Sequence, residues 1–323
     1  MDISDEGPAD VRPQLLVLRA LGLGDLLVAV PALRALRRAF PGYRLRYAAP
    51  GWLAGALELV GGYELVPLSG LEAPIPVRPG EVDVAVNLHG KGPQSSERLE
   101  AIGARRILQH CTSDGDGDGD GDGPAWVEDL HERERWTRLL HWHGINADPR
   151  DCALRTPSTP TKFPGATVVH VGAAFPSRLW PAERFARVAR QLSSRGHQVV
   201  FTGSAQERGR AVEVCRLAGL PEVSVLAGEL ELQAFAACIA GARLVISADT
   251  GAAHLASAYA RPSIVLFGPV APERWGPPPG PHLVLTRGRL RRGDPFADSP
   301  DPAILGVTAG DVLEAVAELE SAP

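Results

Sequence analysis

With 323 residues, 45% of them hydrophobic and 22% charged, the chain has the length and composition of about two globular domains with cores of their own. A net charge of −5 and a pI near 6.0 give it no general attraction to nucleic acid or to anionic lipid. No apolar run approaches the roughly 18 residues of a membrane span, and Met1 to Pro13 is acidic where a signal peptide is basic and then apolar. A cytoplasmic protein with at most peripheral membrane contact is expected. Cys111, Cys152, Cys215 and Cys238 are far apart and lack zinc-ligand spacing, so free thiols are expected.

The pattern along the chain predicts an apolar strand over Gln14 to Arg19, a helix over Asp25 to Phe40, a strand over Arg44 to Ala48 and a helix over Gly51 to Val60. A further apolar strand ends at Asn87-Leu88-His89. The strict Asp-Gly alternation of Asp114 to Gly123 cannot bury enough surface to order itself and reads as a surface loop. A calcium loop is disfavoured there, because the twelfth position counted from Asp114 is Ala125 and not a glutamate. Asp148 to Pro164, rich in proline and poor in apolar residues, reads as a linker between domains spanning 1–155 and 156–323. Alternation resumes with Thr167 to Val171, Pro181 to Arg195, Gln198 to Thr202, Ala205 to Ala218, Val223 to Leu226, Glu231 to Ala240 and Leu244 to Ser247. Thr308 to Glu320 predicts an amphipathic closing helix with Thr308 and Asp311 at its start. Strand, helix, strand in this rhythm means two α/β domains with parallel sheets covered by helices.

Ligands in such sheets sit beyond the carboxyl ends of the strands, and five strand ends carry chemistry here. After the first strand come Gly22, Gly24 and Asp25. The glycine spacing resembles a dinucleotide fingerprint, but Leu27 takes the third glycine's place and Asp25 would repel a pyrophosphate. Asp25 is either a general base at the crevice or a helix cap. Asn87, His89 and Lys91 end another strand, as substrate-side groups or as an ordinary turn. Near Gly172, whose lack of a side chain admits close approach to the backbone, Arg178 is a fixed cation suited to phosphate. Gly203, Ser204 and Glu207 form a glycine turn into a helix, where Glu207 either accepts from ribose hydroxyls or favours the helix N-terminus. Finally, Asp249-Thr250-Gly251 with His254 brings a carboxylate, a hydroxyl and an imidazole to one helix N-terminus, an anion site. The basic run Arg287 to Arg292 is either a solvated loop or a contact for an anionic acceptor.

These blocks, together with Arg178-Leu179-Trp180-Pro181, Phe267-Gly268-Pro269 and Arg274-Trp275-Gly276-Pro277, resemble glycosyltransferase family 9, the lipopolysaccharide heptosyltransferase family, in the family's order across nearly the whole chain. The resemblance implies a GT-B fold, two Rossmann-like domains facing across a cleft. It also implies an inverting, metal-independent transfer from a nucleotide sugar, ADP-heptose in the first instance, to a glycan or glycolipid acceptor, with no other cofactor. Asp25 matches the family's proposed base, and Arg178 stands where a lysine usually meets the donor diphosphate. Gly203, Ser204, Glu207, Asp249, Thr250, Gly251 and His254 fall on the donor side, and Gly24, Asn87, His89 and Lys91 on the acceptor side. Val270, Ala173 and Ala174 depart from the family's usual hydroxyl residues and leave the sugar open. Domain closure is expected to be what brings Asp25 near the donor. A non-catalytic sugar-binding module is the second hypothesis. An NAD enzyme would need a carboxylate about 20 residues beyond Gly24, where the chain reads Tyr43-Arg44-Leu45-Arg46-Tyr47.

Overall fold

Apolar β-branched runs followed at once by helical periodicity fold here into two five-stranded, all-parallel sheets, seen in a computed structural model that describes residues 12–111 and 123–321. The Asp-Gly run from Asp114 to Asp122 and the first eleven residues, on which the loop and leader readings fall, lie outside the described residues. Packing divides the chain into two units. The first holds residues 1–21, 32–126 and 136–148, and the second holds 22–31, 127–135 and 149–323.

In the first unit the elements are β1 (Gln14–Leu18), α1 (Leu23–Ala39, whose opening turns group with the second unit), β2 (Arg44–Ala49), α2 (Ala54–Val60), β3 (Glu64–Pro67), β4 (Val84–Asn87), α3 (Gln94–Glu100), β5 (Arg106–Leu108) and α4 (Glu132–Trp142, whose first turn groups with the second unit). The sheet order is β3-β2-β1-β4-β5, so β1 is central, and Gln14 to Leu18 are all buried. That double-sided burial explains an uninterrupted apolar strand. Leu16, Leu18, Ala85, Leu99 and Ile102 form part of its core.

The second unit contains β6 (Thr167–His170), α5 (Ala182–Ser194), β7 (Val199–Thr202), α6 (Arg208–Ala218), α7 (Leu232–Ala240), β8 (Leu244–Ala248), α8 (Gly251–Ala258), β9 (Ser263–Leu266), α9 (Pro272–Trp275), β10 (His282–Leu285), α10 (Pro302–Leu305) and α11 (Ala309–Ser321). Its order, β10-β9-β8-β6-β7, puts β6 and β8 side by side, which sets their carboxyl-end loops next to each other. The proline-rich stretch 149–166 carries neither helix nor strand. The closing helix begins as expected: Thr308 Oγ accepts from Asp311 N–H at 3.2 Å, and the Asp311 carboxylate accepts from Thr308 N–H at 2.8 Å, a reciprocal capping box.

One expected strand is not formed. Val223 to Leu226 instead follows Pro221 through a 3-10 turn at Glu222–Ser224, and only Val225 bridges to Phe201. Val223 is 72% exposed and Ser224 interrupts the run, so the buried Val225 and Leu226 are adjacent residues and do not make an alternating face for β7. Among the described residues no helix is long and apolar enough to cross a membrane.

Candidate functional site

The second unit gathers most of the expected site residues at one helix mouth. Buried β8 ends at Ala248, and Thr250 follows in extended conformation as the cap of α8 without using its hydroxyl. The Thr250 carbonyl accepts from Ala253 and His254 N–H, while the N–H groups of the first helical residues, Gly251 and Ala252, have no intrahelical acceptor by helix geometry. Three buried polar atoms at this mouth lack hydrogen-bond partners: Thr250 Oγ, Asp249 Oδ2 and Arg178 Nε. Such atoms are rare in a finished interior and need an explanation.

Arg178 reaches the mouth from the loop after β6. Its guanidinium donates to the Asp249 carbonyl at 3.3 Å and lies 3.6 Å from Asp249 Oδ2, an ion-pair distance outside hydrogen-bond range. Burial pushes the Asp249 carboxyl up to about 6; Arg178 opposes that rise and the charge of Asp25 adds to it. His254, 3.7 Å from Asp249, is driven the other way, down to about 3, chiefly by burial and then by Arg133, His131 and Arg178. Its ring is therefore neutral at pH 7, and the contact with Asp249 is not an ion pair.

Asp25 belongs to the same unit. It accepts from Gly22 N–H at 3.2 Å, which tightens the turn into α1. A Cβ on Gly24 would stand 3.3 Å from the His254 ring, and one on Gly251 would meet Leu23 at 2.6 Å. The Gly22–Asp25 turn is thus packed directly on the α8 mouth, and both glycines are there for close approach. The turn that carries Asp25 and the α8 mouth therefore already touch within one unit.

Gly203, Ser204 and Glu207 follow β7. The Glu207 carboxylate accepts from Ser204 N–H at 2.6 Å and lies over Gly172, where a Cβ would come within 2.1 Å of it. The open backbone at Gly172 thus accommodates Glu207 in this structure. Beside it, His170 shares a 3.0 Å hydrogen bond with Thr202, and burial lowers its pKa against the opposing charge of Glu207. Trp180 is a packing residue, fully buried and donating to the Val307 carbonyl. In the basic run, Arg287 pairs with Asp311 and Arg291 donates to the Gly268 carbonyl, which spends both on structure.

The expected acceptor-side residues other than Gly24 lie in the first unit and are not alike. Asn87 is buried, donates to Ser95 Oγ at 3.0 Å and accepts from His89 N–H, so it fastens its own turn. His89 Nδ1 accepts from Ala20 N–H at the end of β1, and Lys91 is exposed. Three contributors escaped the sequence reading. Arg210 donates to the carbonyls of Val171 and Trp180 and so holds the loop that carries Arg178. His131 and Arg133 both meet the Gly276 carbonyl, at 3.0 and 2.9 Å, and fix the Trp275 turn near His254. Nothing local marks His131 and Arg133, whose partner lies more than 140 residues away, or Arg210, whose partners lie 39 and 30 residues away.

Two parallel five-stranded α/β units make a GT-B fold, the architecture of a large class of glycosyltransferases. The solved structure of the Escherichia coli ADP-heptose lipopolysaccharide heptosyltransferase II shares it with a TM-score of 0.73 at 21% identity, covering 95% of this chain and 98% of that one. The family model for glycosyltransferase family 9 (heptosyltransferase) matches residues 147–287, a stretch that contains the motif blocks from Arg178 to Pro277. The lipopolysaccharide heptosyltransferase 2 of Salmonella typhimurium is 31% identical over 160 residues, 46% of this chain and 45% of that protein. The lipopolysaccharide heptosyltransferase 1 of Pseudomonas aeruginosa is 38% identical over 130 residues, 40% of this chain and 34% of that protein. The matched stretch therefore spans less than half the length of these curated relatives.

Proposed function

We propose that the protein is an inverting, metal-independent glycosyltransferase that moves a heptose from ADP-heptose to a hydroxyl of a cell-envelope glycan or glycolipid. The observation that carries this reading is the set of unpartnered Thr250 Oγ, Asp249 Oδ2 and Arg178 Nε at the N-terminus of α8, with Asp25 packed beside it. A diphosphate seated there would accept from Arg178, from the hydroxyl of Thr250 and from the first N–H groups of the helix, which also favours negative charge. Glu207 and Ser204, at the neighbouring strand end, are assigned to the nucleoside.

In this reading Asp25 removes the proton of the acceptor hydroxyl as its oxygen attacks the anomeric carbon. The bond from that carbon to the diphosphate oxygen breaks, and a single displacement inverts the centre. Fixed charges prearranged around the leaving group do what a metal does elsewhere. His89 and Lys91 are assigned to the acceptor side. The names of the relatives support heptose and lipopolysaccharide as the chemical classes.

Asp25→Asn is expected to lower transfer about 10²–10⁴-fold while ADP-heptose still raises the unfolding temperature as in the wild type. Wild-type transfer is expected to persist in excess EDTA. Undiminished transfer by the variant would refute the base assignment, and loss of activity on chelation would refute metal independence. A larger stabilisation by GDP- or UDP-sugars would replace the donor.

A further inference from the structure

Away from these strand ends, the first unit bears a second groove, of about 550 Å³, along the outer edge of β5. It runs between the end of α3, at Glu100, and the end of α4, at Trp142 and His143. The indole of Trp142 is 45% exposed. Arg105 and Arg106 line the groove. The Arg105 side chain is 80% exposed and 3.3 Å from Asp83, while Arg106 is exposed and has no side-chain acceptor among the described residues. Gln109 also lines the groove, and its buried Oε1 has no hydrogen-bond partner.

Arginines do guard edge strands against pairing with another sheet. Edge protection, however, calls for neither an exposed indole nor a carboxamide oxygen left unsatisfied in the wall. An aromatic face gives an apolar platform with a polar rim, of the kind that meets the C–H face of a sugar ring. Arg106 offers a planar fork to a carboxylate or phosphate. Gln109 Oε1 and the Glu100 carboxylate are acceptors for hydroxyl donors. A simple anion would use the arginines and leave Trp142 and Gln109 unused; a neutral sugar would leave Arg106 unused.

We infer that this groove is an accessory binding site for an acidic saccharide, a sugar ring carrying a carboxylate or phosphate, with Trp142 as its stacking platform and Arg106 as its anion clamp. The site is separate from the α8 mouth and does not depend on the transfer reaction proposed above.

The full-length chain titrated with digalacturonate and with glucose 6-phosphate, followed by calorimetry and tryptophan fluorescence, tests it. Saturable binding of at least one is expected. Trp142→Ala and Arg106→Gln should each weaken it about tenfold or more, and maltose should bind about tenfold more weakly than the acidic sugar. Arg178→Gln should leave the affinity unchanged, which separates this site from the proposed donor seat. Both groove variants alter exposed side chains, and unfolding temperatures matching the wild type would confirm that they fold. Digalacturonate tells a carboxylate ligand from the phosphate of glucose 6-phosphate, and either result supports the site. Several results would overturn the inference: no saturation by either sugar, affinities unmoved in both variants, equal binding of inorganic phosphate, or preference for AMP.

Discussion

Asp249 and His254, 3.7 Å apart and both buried, are each pushed toward their neutral forms, and their effects on stability run in opposite directions. Asp249 titrates near 6 when folded and near 3.8 in the open chain, so between these values the folded state holds the extra proton and stability falls as pH rises. His254 titrates near 3 when folded and near 6.5 when unfolded, so over that window the unfolded state holds the extra proton and stability rises with pH. In the wild type the two slopes largely cancel between about pH 4 and 6. Asp249→Asn should raise stability at pH 7 by on the order of 2 kcal/mol, with the gain gone near pH 4, and it should weaken the donor. His254→Gln should do the reverse: a gain near pH 4 that disappears by pH 7. Urea unfolding at the two pH values measures both; a gain for Asp249→Asn that is the same at pH 4 and pH 7 would contradict the burial of a charged Asp249. Of these two residues, spacing in the sequence was enough to place His254 near the helix mouth. It could not supply the burial that decides their charge, because burial comes from β8, the Trp275 turn and residues 127–135 together.

At the scale of elements, the α8 mouth is a joint between two turns that are each built from glycine. A methyl group at Gly251 would meet Cβ, Cγ and Cδ2 of Leu23, not merely the tip of a long side chain. Gly251→Ala is therefore expected to cost roughly 1–3 kcal/mol through displacement of the Gly22–Asp25 turn, and to reduce transfer even where donor binding persists. Calorimetric unfolding together with kcat and donor Kd would check this; full activity would mean that the turn and the mouth need not touch. The strands β1, β6, β7 and β8 were legible because burial leaves them almost uniformly apolar. So was α11, whose capping box is written in Thr308 and Asp311. By contrast the side chains of β3, β5 and β10 are partly exposed, so no uniformly apolar run marks them. Val223 to Leu226 carries the reverse error, a short apolar run whose first half is taken up by a 3-10 turn.

Over the whole molecule, the two-unit α/β plan was readable from alternation, and the motif blocks pointed to the strand ends that carry Asp25, Arg178 and Thr250. What the sequence concealed is membership: residues 22–31 and 127–135 precede the proline-rich linker yet pack with the second unit. Only contacts across long sequence separations, such as Arg133 to Gly276 and Gly24 beside His254, reveal this. That membership bears on recombination between relatives. A chimera joined at residue 148, with its whole N-terminal half taken from a homologue, would import foreign versions of both segments and set them against a resident α8 mouth to which they were never fitted. One exchanging only 32–126 would keep Asp25, His131 and Arg133 with the partners they evolved beside. The second chimera is expected to retain donor binding and the first to lose much of it, as thermal shift with ADP-heptose would measure. Crossover points that respect packing would thus divide the chain at five places, where its linker suggests one.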